Sequence, residues 1–429
     1  MPSSIKRLDG MNKVCETAAP AKRGTETTEK LRIGVVGLGL AGAGMIPAVL
    51  AHPNCVLAGA ADRSEILRSR FSDEFDRPAE EDIKSLARRE DIDAIYIATP
   101  HQFHMEHTVL AADHGKHVIV EKPMALSLSD CDAMIAAAEH NDVSLIVGHT
   151  HGFDPAVALM REIIGRGQLG RLGMIAMWNY TNFLYRPRRA EELDSRAGGG
   201  ILFNQVPHQV DIARTLANDE IRSVRATASI LDKTRPTEGC CSAFIEFESG
   251  VSANLVYSGY DRFDSDELHA WVGENGQPKS PDYGSARRAL KQFRAREDEI
   301  VSRIKDYGFG GAKRRRKADG ETWRQPHFGV LIATCEGGDL RTSPDGVFLY
   351  DDDGVQEIAL PTSEGLSGRR EVLDELWRSV TNADGVVHNG QFGRATLEAC
   401  LAIKRSSDER REIVLGDTHR QVEGRAGSR

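Results

Sequence analysis

Short apolar runs alternate with helix-like stretches through the first third of the chain. Apolar strands are predicted at residues 31–36, 56–61, 94–98, 118–120 and 144–147. Runs that are apolar at nearly every position are typical of parallel strands covered by helices on both faces. Residues 31–148 are therefore predicted to form an α/β domain built on a doubly wound parallel sheet.

The pattern changes near residue 171 to longer strands separated by turns. Strands are predicted at residues 172–180, 224–231, 242–247, 251–257 and 268–272, with a hairpin at 340–350. Because few helices separate these strands, a large open sheet, mainly antiparallel, is expected. Further helices are predicted at residues 201–216, 369–383 and 393–407.

Residues 149–416 are accordingly predicted to form a second, α+β domain for substrate binding and oligomerisation. Polar residues 1–30 and 417–429 are predicted to be flexible tails. An insertion is expected at about residues 275–325, with a charged helix at 286–305 and five consecutive cations at 313–317. Such a cationic run is usually solvated. A subunit contact or a substrate lid are the other roles considered for the insertion.

Composition narrows the class of protein. The chain has 429 residues, 40% of them hydrophobic, and a formal net charge of -9, which argues against a nucleic-acid partner. Its seven cysteines are scattered and form no CxxC pair, so a disulfide framework is not indicated and a reducing cytoplasm is expected. Residues 33–51 lack ionised side chains but contain five glycines and a proline, which disfavours a membrane span.

A glycine-rich turn follows the first predicted strand. Residues 37–42 read Gly-Leu-Gly-Leu-Ala-Gly, the G-x-G-x-x-G pattern, at the predicted start of a helix. Glycine lets the backbone turn tightly and approach a pyrophosphate, which free N–H groups at the helix start bind. The predicted dinucleotide contacts are Gly37, Gly39, Leu40, Ala41 and Gly42. A purely structural glycine turn is the alternative.

The second strand ends at Asp62, where a ribose-binding acid is expected. Its carboxylate would repel a 2′-phosphate, which favours NAD, although the neighbouring Arg63 leaves NADP open. The third strand runs into Thr99 and Pro100, and this loop is predicted to lie over the cofactor. His104, with His101, is a candidate to line the same site, and solvated helix-start histidines are the alternative.

A charged pair ends the strand at residues 118–120. Glu121 and Lys122 precede Pro123, which restricts the backbone of the lysine. Open α/β sheets bind ligands at the carboxyl ends of their strands, so Glu121 and Lys122 are predicted to face the cofactor, with Lys122 catalytic. A strand end that meets solvent is the alternative.

These motifs together resemble the glucose-fructose oxidoreductase, inositol dehydrogenase and MocA (Gfo/Idh/MocA) family. The resemblance rests on residues 37–42, 98–100 and 117–123, and on Gly198–Gly200 followed by His208. It implies a Rossmann domain with a nicotinamide cofactor, an open sheet that often mediates oligomers, and a catalytic lysine at Lys122. It also implies a histidine, His208, beside that lysine. Where the family commonly has Asp, this chain has Asn204, which is expected to orient hydroxyls or His208 without adding negative charge.

A loop of aromatic and cationic residues follows the strand at 172–180. Tyr180, Arg186 and Arg188 are predicted to bind a flat ring carrying carboxylates, because arginine pairs with carboxylates in bidentate fashion. An exposed basic loop is the alternative. With the segments at residues 149–155 and 327–329, this loop resembles the phthalate 4,5-cis-dihydrodiol dehydrogenase branch. His149 and His151 are predicted substrate contacts. A metal site is the alternative, and it is disfavoured because no acidic or cysteine partner follows them at ligand spacing.

The chain is therefore predicted to be an NAD(P)-dependent oxidoreductase, cytoplasmic and homo-oligomeric, as a dimer or tetramer. Lys122 is expected to take a proton from a substrate hydroxyl while hydride leaves the same carbon, with His208 and Asn204 holding the hydroxyls. The expected substrate is a cis-dihydrodiol of an aromatic carboxylate, of the phthalate 4,5-dihydrodiol type, which would be oxidised to a catechol. The alternatives are a sugar or polyol dehydrogenase, a redox-neutral hydrolase or lyase that uses bound NAD, and an NAD-binding sensor without catalysis.

Overall fold

The computed structural model describes residues 30–293, 296–307, 309, 322–362, 368–383 and 386–416. Both predicted tails, except Lys30, lie outside the described residues, as does the cationic run at 313–317. Within the described chain, no helix has the length and apolar character needed to cross a membrane.

The first sheet has six parallel strands in the order β3-β2-β1-β4-β5-β6. This is the order of a dinucleotide-binding doubly wound fold, and it confirms the predicted parallel sheet. The strands are β1 (Leu31–Val36), β2 (Cys55–Ala61), β3 (Ala79–Glu80), β4 (Ala94–Ile97), β5 (His117–Glu121) and β6 (Leu145–Gly148). Their helices are α1 (Leu40–Ala51), α2 (Glu65–Phe75), α3 (Ile83–Ala87), α4 (His104–Asp113) and α5 (Leu128–His140).

Local sequence explains why these helices begin where they do. Ser64, Asp82 and Ser127 cap α2, α3 and α5, each side chain accepting a hydrogen bond from a backbone N–H of the first turn. Helix α1 differs, because Gly39 at its start provides no side-chain cap. Its first-turn N–H groups therefore remain available to a ligand.

The second sheet has nine strands in the order β14-β13-β12-β11-β7-β10-β9-β8-β15. All neighbours pair antiparallel except β7 and β10, so the predicted, mainly antiparallel sheet is confirmed. The strands are β7 (Leu172–Tyr180), β8 (Ile221–Ser229), β9 (Cys240–Phe247), β10 (Ser252–Ser258), β11 (Val330–Cys335), β12 (Gly338–Thr342), β13 (Gly346–Asp351), β14 (Gly354–Ala359) and β15 (Ile413–Val414).

One face of this second sheet is covered by helices and the other is open. The remaining helices are α6 (Pro155–Gly165), α7 (Ile201–Asn204), α8 (Val206–Ala217), α9 (Ser285–Leu290), α10 (Arg296–Tyr307), α11 (Arg369–Val380) and α12 (Gly390–Glu409). Helices α6, α8 and α12 pack on the covered face. Met174, Trp178 and Phe244 are exposed on the open face. Helix α11 packs on α1 and shares the core of the first sheet.

Three predicted elements differ from the structure. The strand expected at residues 268–272 is a short 3-10 turn, because Ala270 and Trp271 have φ of 54° and 56°, which a strand cannot accommodate. The helix expected at 201–216 is interrupted at Gln205, since Pro207 lacks the N–H needed to continue α7. The insertion helix expected at 286–305 is split into α9 and α10.

Candidate active site

The glycine turn between β1 and α1 has the shape that a pyrophosphate requires. Gly37 has φ +91°, and a Cβ there would lie 2.6 Å from the Ala98 carbonyl oxygen. A Cβ on Gly42 would lie 1.8 Å from the Gly37 carbonyl oxygen, so the helix packs against the turn as only glycine permits. A Cβ on Gly39 would meet nothing within 4 Å, which leaves space for a ligand above the uncapped helix start. The N–H groups of Leu40 and Ala41 belong to this free first turn.

Asp62 lies beside the glycine turn at the end of β2. Its carboxylate accepts hydrogen bonds from Leu38 N at 2.7 Å and from Ser64 N at 2.8 Å. Arg63 is exposed, with its guanidinium 6.0 Å from the ring centre of Phe103. These residues fit the adenosine end of a dinucleotide, with the acid placed where a ribose would lie.

His104 connects two loops of the cofactor side. Its ring is buried, with Nδ1 3.0 Å from the Pro123 carbonyl oxygen and Nε2 2.9 Å from the Thr99 carbonyl oxygen. Burial lowers the pKa of His104. The ring therefore fixes the loop of Thr99 and Pro100 against the Lys122–Pro123 turn, whereas the sequence predicted a direct contact with the cofactor.

Lys122 lies at the end of β5, and its peptide bond with Pro123 is cis. Its Nζ donates a hydrogen bond to the backbone oxygen of Asn204 at 2.8 Å. Burial lowers the pKa of Lys122 from its ordinary 10.5, although Glu121 and Glu274 oppose the shift. Glu121 itself accepts a hydrogen bond from the buried Tyr96 hydroxyl. The lysine is thus poised to lose its proton more readily than a surface lysine.

The Asn204 side chain stabilises a second glycine-rich turn, Gly198–Gly200, which directly precedes α7. Its Nδ2 donates to the carbonyl oxygens of Gly198 at 3.1 Å and Gly200 at 2.8 Å. Both glycines have positive φ, and a carboxylate at position 204 would have no hydrogens to donate to this turn. Asn204 thus holds the turn, and its backbone oxygen orients Lys122. His101, from the loop after Pro100, contacts the same turn, with Nδ1 3.3 Å from the Gly198 oxygen.

His208 is a neutral imidazole on α8. Burial and the nearby charges of Lys122 and His151 hold the pKa of His208 well below its usual range. Its ring centre lies 4.7 Å from that of His151 and 4.8 Å from that of Phe328. Its Nδ1 is buried without a hydrogen-bond partner in the structure. A bound polar group would satisfy this atom.

His151, the neighbour of His208, is held in the opposite protonation state. Its Nδ1 lies 2.7 Å from Asp154 and its Nε2 3.4 Å from Glu274. Burial acts to lower the pKa of His151, but these two carboxylates outweigh it and raise that pKa to about 10. Burial disfavours the ionised form of Glu274. His151 and Arg186 favour that form and outweigh burial, so the pKa of Glu274 falls to about 2.

Only one of the predicted substrate arginines joins this charged group. The Arg186 guanidinium is partly exposed and lies 3.7 Å from the Glu274 carboxylate. Arg188 is buried, donates to the Phe183 oxygen at 2.7 Å and stacks on the Phe183 ring. Arg188 therefore supports its own loop, although its charge acts on Lys122.

Two other predicted substrate residues lie outside the His151–His208 pair. Tyr180 alternates with buried Asn179 along β7, so it lies on the open face with Trp178 and contacts Phe263 instead of the site. His149 is buried near His388, and burial lowers the pKa of His149 to about 4. No set of three His, Cys, Asp or Glu residues within the described ranges could hold a metal.

Comparison with known proteins shows which family of proteins this chain belongs to. A family model described as "Oxidoreductase family, NAD-binding Rossmann fold" matches residues 31–149, and a "GFO/IDH/MocA C-terminal domain" model matches residues 157–277. The chain belongs to the Gfo/Idh/MocA family. This is an oxidoreductase family with an NAD-binding Rossmann fold, it includes dehydrogenases that act on hydroxyl-bearing carbons, and the glycine turn and Asp62 fit NAD.

Individual relatives of this Gfo/Idh/MocA chain include dehydrogenases of cyclic diols. A 1-carboxy-3-chloro-3,4-dihydroxycyclohexa-1,5-diene dehydrogenase of Comamonas testosteroni is 39% identical, over 87% of this chain and 94% of the relative. A crystal structure of a dehydrogenase from Bordetella bronchiseptica RB50 is 44% identical, with a TM-score of 0.85 over 90% of this chain and all of that chain. A myo-inositol 2-dehydrogenase of Thermotoga maritima is 29% identical over 47% of this chain and 59% of the relative.

Sequence reasoning missed the acids of this Gfo/Idh/MocA site. Asp154 directly precedes α6 and resembles an ordinary helix-start acid, and Glu274 follows a strand that was predicted but does not exist. The backbone N–H of His327 donates a hydrogen bond to the backbone carbonyl oxygen of Glu274 at 3.1 Å, which helps to position Glu274. The next residue, Phe328, packs against both site histidines. The segment at residues 149–155, which contains Asp154, and the segment at 327–329 were the signals that could have indicated this arrangement.

Proposed function

We propose that the protein oxidises a cis-dihydrodiol of an aromatic carboxylate with NAD, giving a catechol. The observation that carries the proposal is that two cations, Arg186 and His151, share Glu274 beside the neutral His208 and the partly buried Lys122 amine. A carboxylate and a hydroxyl on one small ring require this combination of a fixed cation and neutral hydrogen-bonding groups. The carboxylated diol in the name of the Comamonas relative supports the same substrate class.

Lys122 acts as the base that accepts the proton of the substrate hydroxyl. In its neutral form, the amine keeps its hydrogen bond to the Asn204 backbone oxygen and presents a lone pair to the substrate hydroxyl. The unpartnered Nδ1 of His208 takes part in a hydrogen bond with a substrate hydroxyl, which fixes the reacting carbon. NAD, when bound, supplies the nicotinamide carbon that accepts the hydride. The ketone that forms tautomerises to a catechol: the hydrogen on the neighbouring hydroxyl-bearing carbon leaves as a proton and the carbonyl oxygen takes up a proton. The gain of aromaticity drives the reaction forward.

The Arg186 side chain anchors the substrate carboxylate. It is 39% exposed and its ion pair with Glu274 is long, so its guanidinium can pair with a second carboxylate. Asn204 adds no negative charge to this end of the site. A polyol is the second candidate substrate, favoured by the similarity to myo-inositol 2-dehydrogenase.

Formation of NADH from a panel of matched substrates tests the proposal. The panel compares an aromatic-carboxylate cis-dihydrodiol, the same diol without its carboxylate, inositol and an aldose, each with NAD and NADP. We expect the carboxylated diol with NAD to give the highest kcat/KM. Arg186→Met should raise KM for that diol at least about tenfold, the effect of one lost ion pair in a partly buried site, with no change for the uncarboxylated diol.

Arg189→Met is the matched control, because Arg189 lies on the same loop but pairs with Glu191 and Glu192. It should leave both KM values unchanged. Equal kcat/KM for the two diols would contradict the carboxylate anchor. Higher turnover of inositol would favour the polyol dehydrogenase, and bond cleavage without net NADH would favour a redox-neutral enzyme.

We also propose that the protein forms a dimer or tetramer through the open face of the nine-stranded sheet. Met174 and Trp178 lie on β7 and Phe244 lies on β9, with β10 between the two strands, and all three side chains are between 41% and 45% exposed. Apolar groups gathered on one face support an interface. A cytoplasmic location remains part of the proposal, supported by the scattered cysteines of the sequence.

A further inference from the structure

The insertion after β10 reaches back to the cofactor side of the molecule. It lies outside both family models, which end at residues 149 and 277. Its described parts include helix α10 and Phe309. Their contacts connect the glycine turn with the loop that carries Arg186.

Phe309 is built into the core of the first domain. Its side chain is 1% exposed, and its ring centre lies 6.1 Å from that of Phe71 and 5.5 Å from that of Phe75 on α2. Its backbone oxygen accepts a hydrogen bond from Arg70 at 3.4 Å. Three aromatic rings and a hydrogen bond thus fix this point of the insertion on α2.

The backbone of Phe309 also holds the glycine turn directly. Its N–H donates to the Leu38 carbonyl oxygen at 3.1 Å. The N–H of the same Leu38 donates to the Asp62 carboxylate at 2.7 Å. Both polar groups of the Leu38 backbone are therefore fixed, one by the insertion and the other by the acid placed for the ribose. The side chain of Leu38 is fully buried and belongs to the same apolar cluster as Phe309.

The other end of this segment is anchored on the substrate side. Glu299 of α10 is 9% exposed and forms a bidentate ion pair with the buried Arg235, with N–O distances of 3.0 Å. It also accepts a hydrogen bond from the backbone N–H of Arg188 at 3.2 Å, two residues beyond Arg186. A paired, buried carboxylate of this kind holds one geometry, since separating it leaves a buried charge.

We propose that the insertion holds the glycine turn in its nucleotide-binding conformation, with Phe309 as the positioning residue and Glu299 as the anchor on the substrate loop. A turn that is already fixed loses less conformational freedom when the pyrophosphate binds, so NAD binds more tightly. Because the same segment contacts the substrate loop, ordering by NAD is transmitted along α10 toward Arg186. This role is independent of which diol the enzyme oxidises.

The test is NAD binding to the full chain by titration calorimetry, without substrate. Phe309→Ala should raise the Kd for NAD about tenfold, equivalent to about 1.4 kcal/mol. Phe309→Leu, which keeps an apolar side chain, should raise it no more than about threefold. Val301→Ala is the matched control, because Val301 lies on α10 and is 64% exposed, and its Kd should equal that of the unmodified protein. A folded Phe309→Ala variant with unchanged Kd would overturn the proposal.

Hydrogen exchange on the unmodified protein provides a measurement that does not depend on the variants folding. When NAD is added, amides of residues 37–42 and 296–307 should gain protection together. Protection confined to residues 37–42 would overturn the proposed connection.

Discussion

The charge on His151 provides the sharpest quantitative test of the site. His151 is 9% exposed, and its pKa rises from 6.5 to about 10 because Asp154 and Glu274 outweigh the effect of burial. At about 1.4 kcal/mol per pH unit, this shift corresponds to at most about 5 kcal/mol of folding free energy, shared between both acids. Asp154, at 2.7 Å, is the closer partner, so Asp154→Asn is the perturbation to examine.

The sign of the pH dependence follows from the direction of the shift. A histidine whose pKa is raised in the folded state contributes its full stabilisation below pH 6.5, and the contribution disappears as the pH rises toward 10. We expect Asp154→Asn to lower the free energy of unfolding by about 3 kcal/mol at pH 6, because one partner of a buried ion pair is removed. The difference from the unmodified protein should shrink steadily up to pH 9.5.

Urea unfolding at several pH values between 6 and 9.5 measures this difference directly. His388, whose pKa is also raised, to about 9, is present in both proteins, so its contribution cancels. Asp132→Asn is the control, because Asp132 is 57% exposed and pairs with Arg394 at the surface. Its effect should stay below about 1 kcal/mol at every pH. A loss for Asp154→Asn that is constant from pH 6 to 9.5 would refute the reasoning that Asp154 keeps His151 charged.

Three further variants address the remaining parts of the site. Lys122→Arg should lower kcat by about 10²- to 10⁴-fold, because arginine stays protonated. It should also abolish the rise of kcat/KM with pH that the lowered lysine pKa predicts. Retained activity would exclude Lys122 as the base. Asn204→Asp should cost about 2 kcal/mol in chemical unfolding, since two hydrogen bonds to Gly198 and Gly200 are lost, and an unchanged stability would contradict that role. Trp178→Asp should shift the light-scattering mass toward a monomer, and an unchanged mass would place the interface elsewhere.

The parts of the structure that could be predicted from the sequence are those set by local pattern. Strands β1, β4, β5 and β6 are buried at almost every position, so their apolar runs identify them without tertiary information, whereas the two-residue, half-buried β3 has no such run and was not predicted. The glycine turn needs three glycines at fixed spacing for steric reasons that the structure reproduces at Gly37 and Gly42. Lys122 follows its strand directly, so its place at the carboxyl edge follows from the strand prediction.

The parts that could not be predicted depend on which face or partner a residue meets. Tyr180 was expected at the site because it lies in an aromatic and cationic stretch, but the alternation along β7 places it on the open face. Arg188 was expected to bind substrate, and the packing of its loop commits its guanidinium to the Phe183 backbone and ring. Neither outcome is encoded in the local composition of that stretch.

The protonation states of the two histidines at the centre of the site also depend on their tertiary partners. His151 and His208 are both buried and their rings touch, yet one is held cationic and the other neutral. The difference comes from Asp154 and Glu274, and Glu274 reaches the site only because the segment around it folds as a turn instead of a strand. With Asn204 uncharged, the negative charge of the site comes from loops beside the substrate. A substrate carboxylate can then approach Arg186 without meeting an acid at position 204.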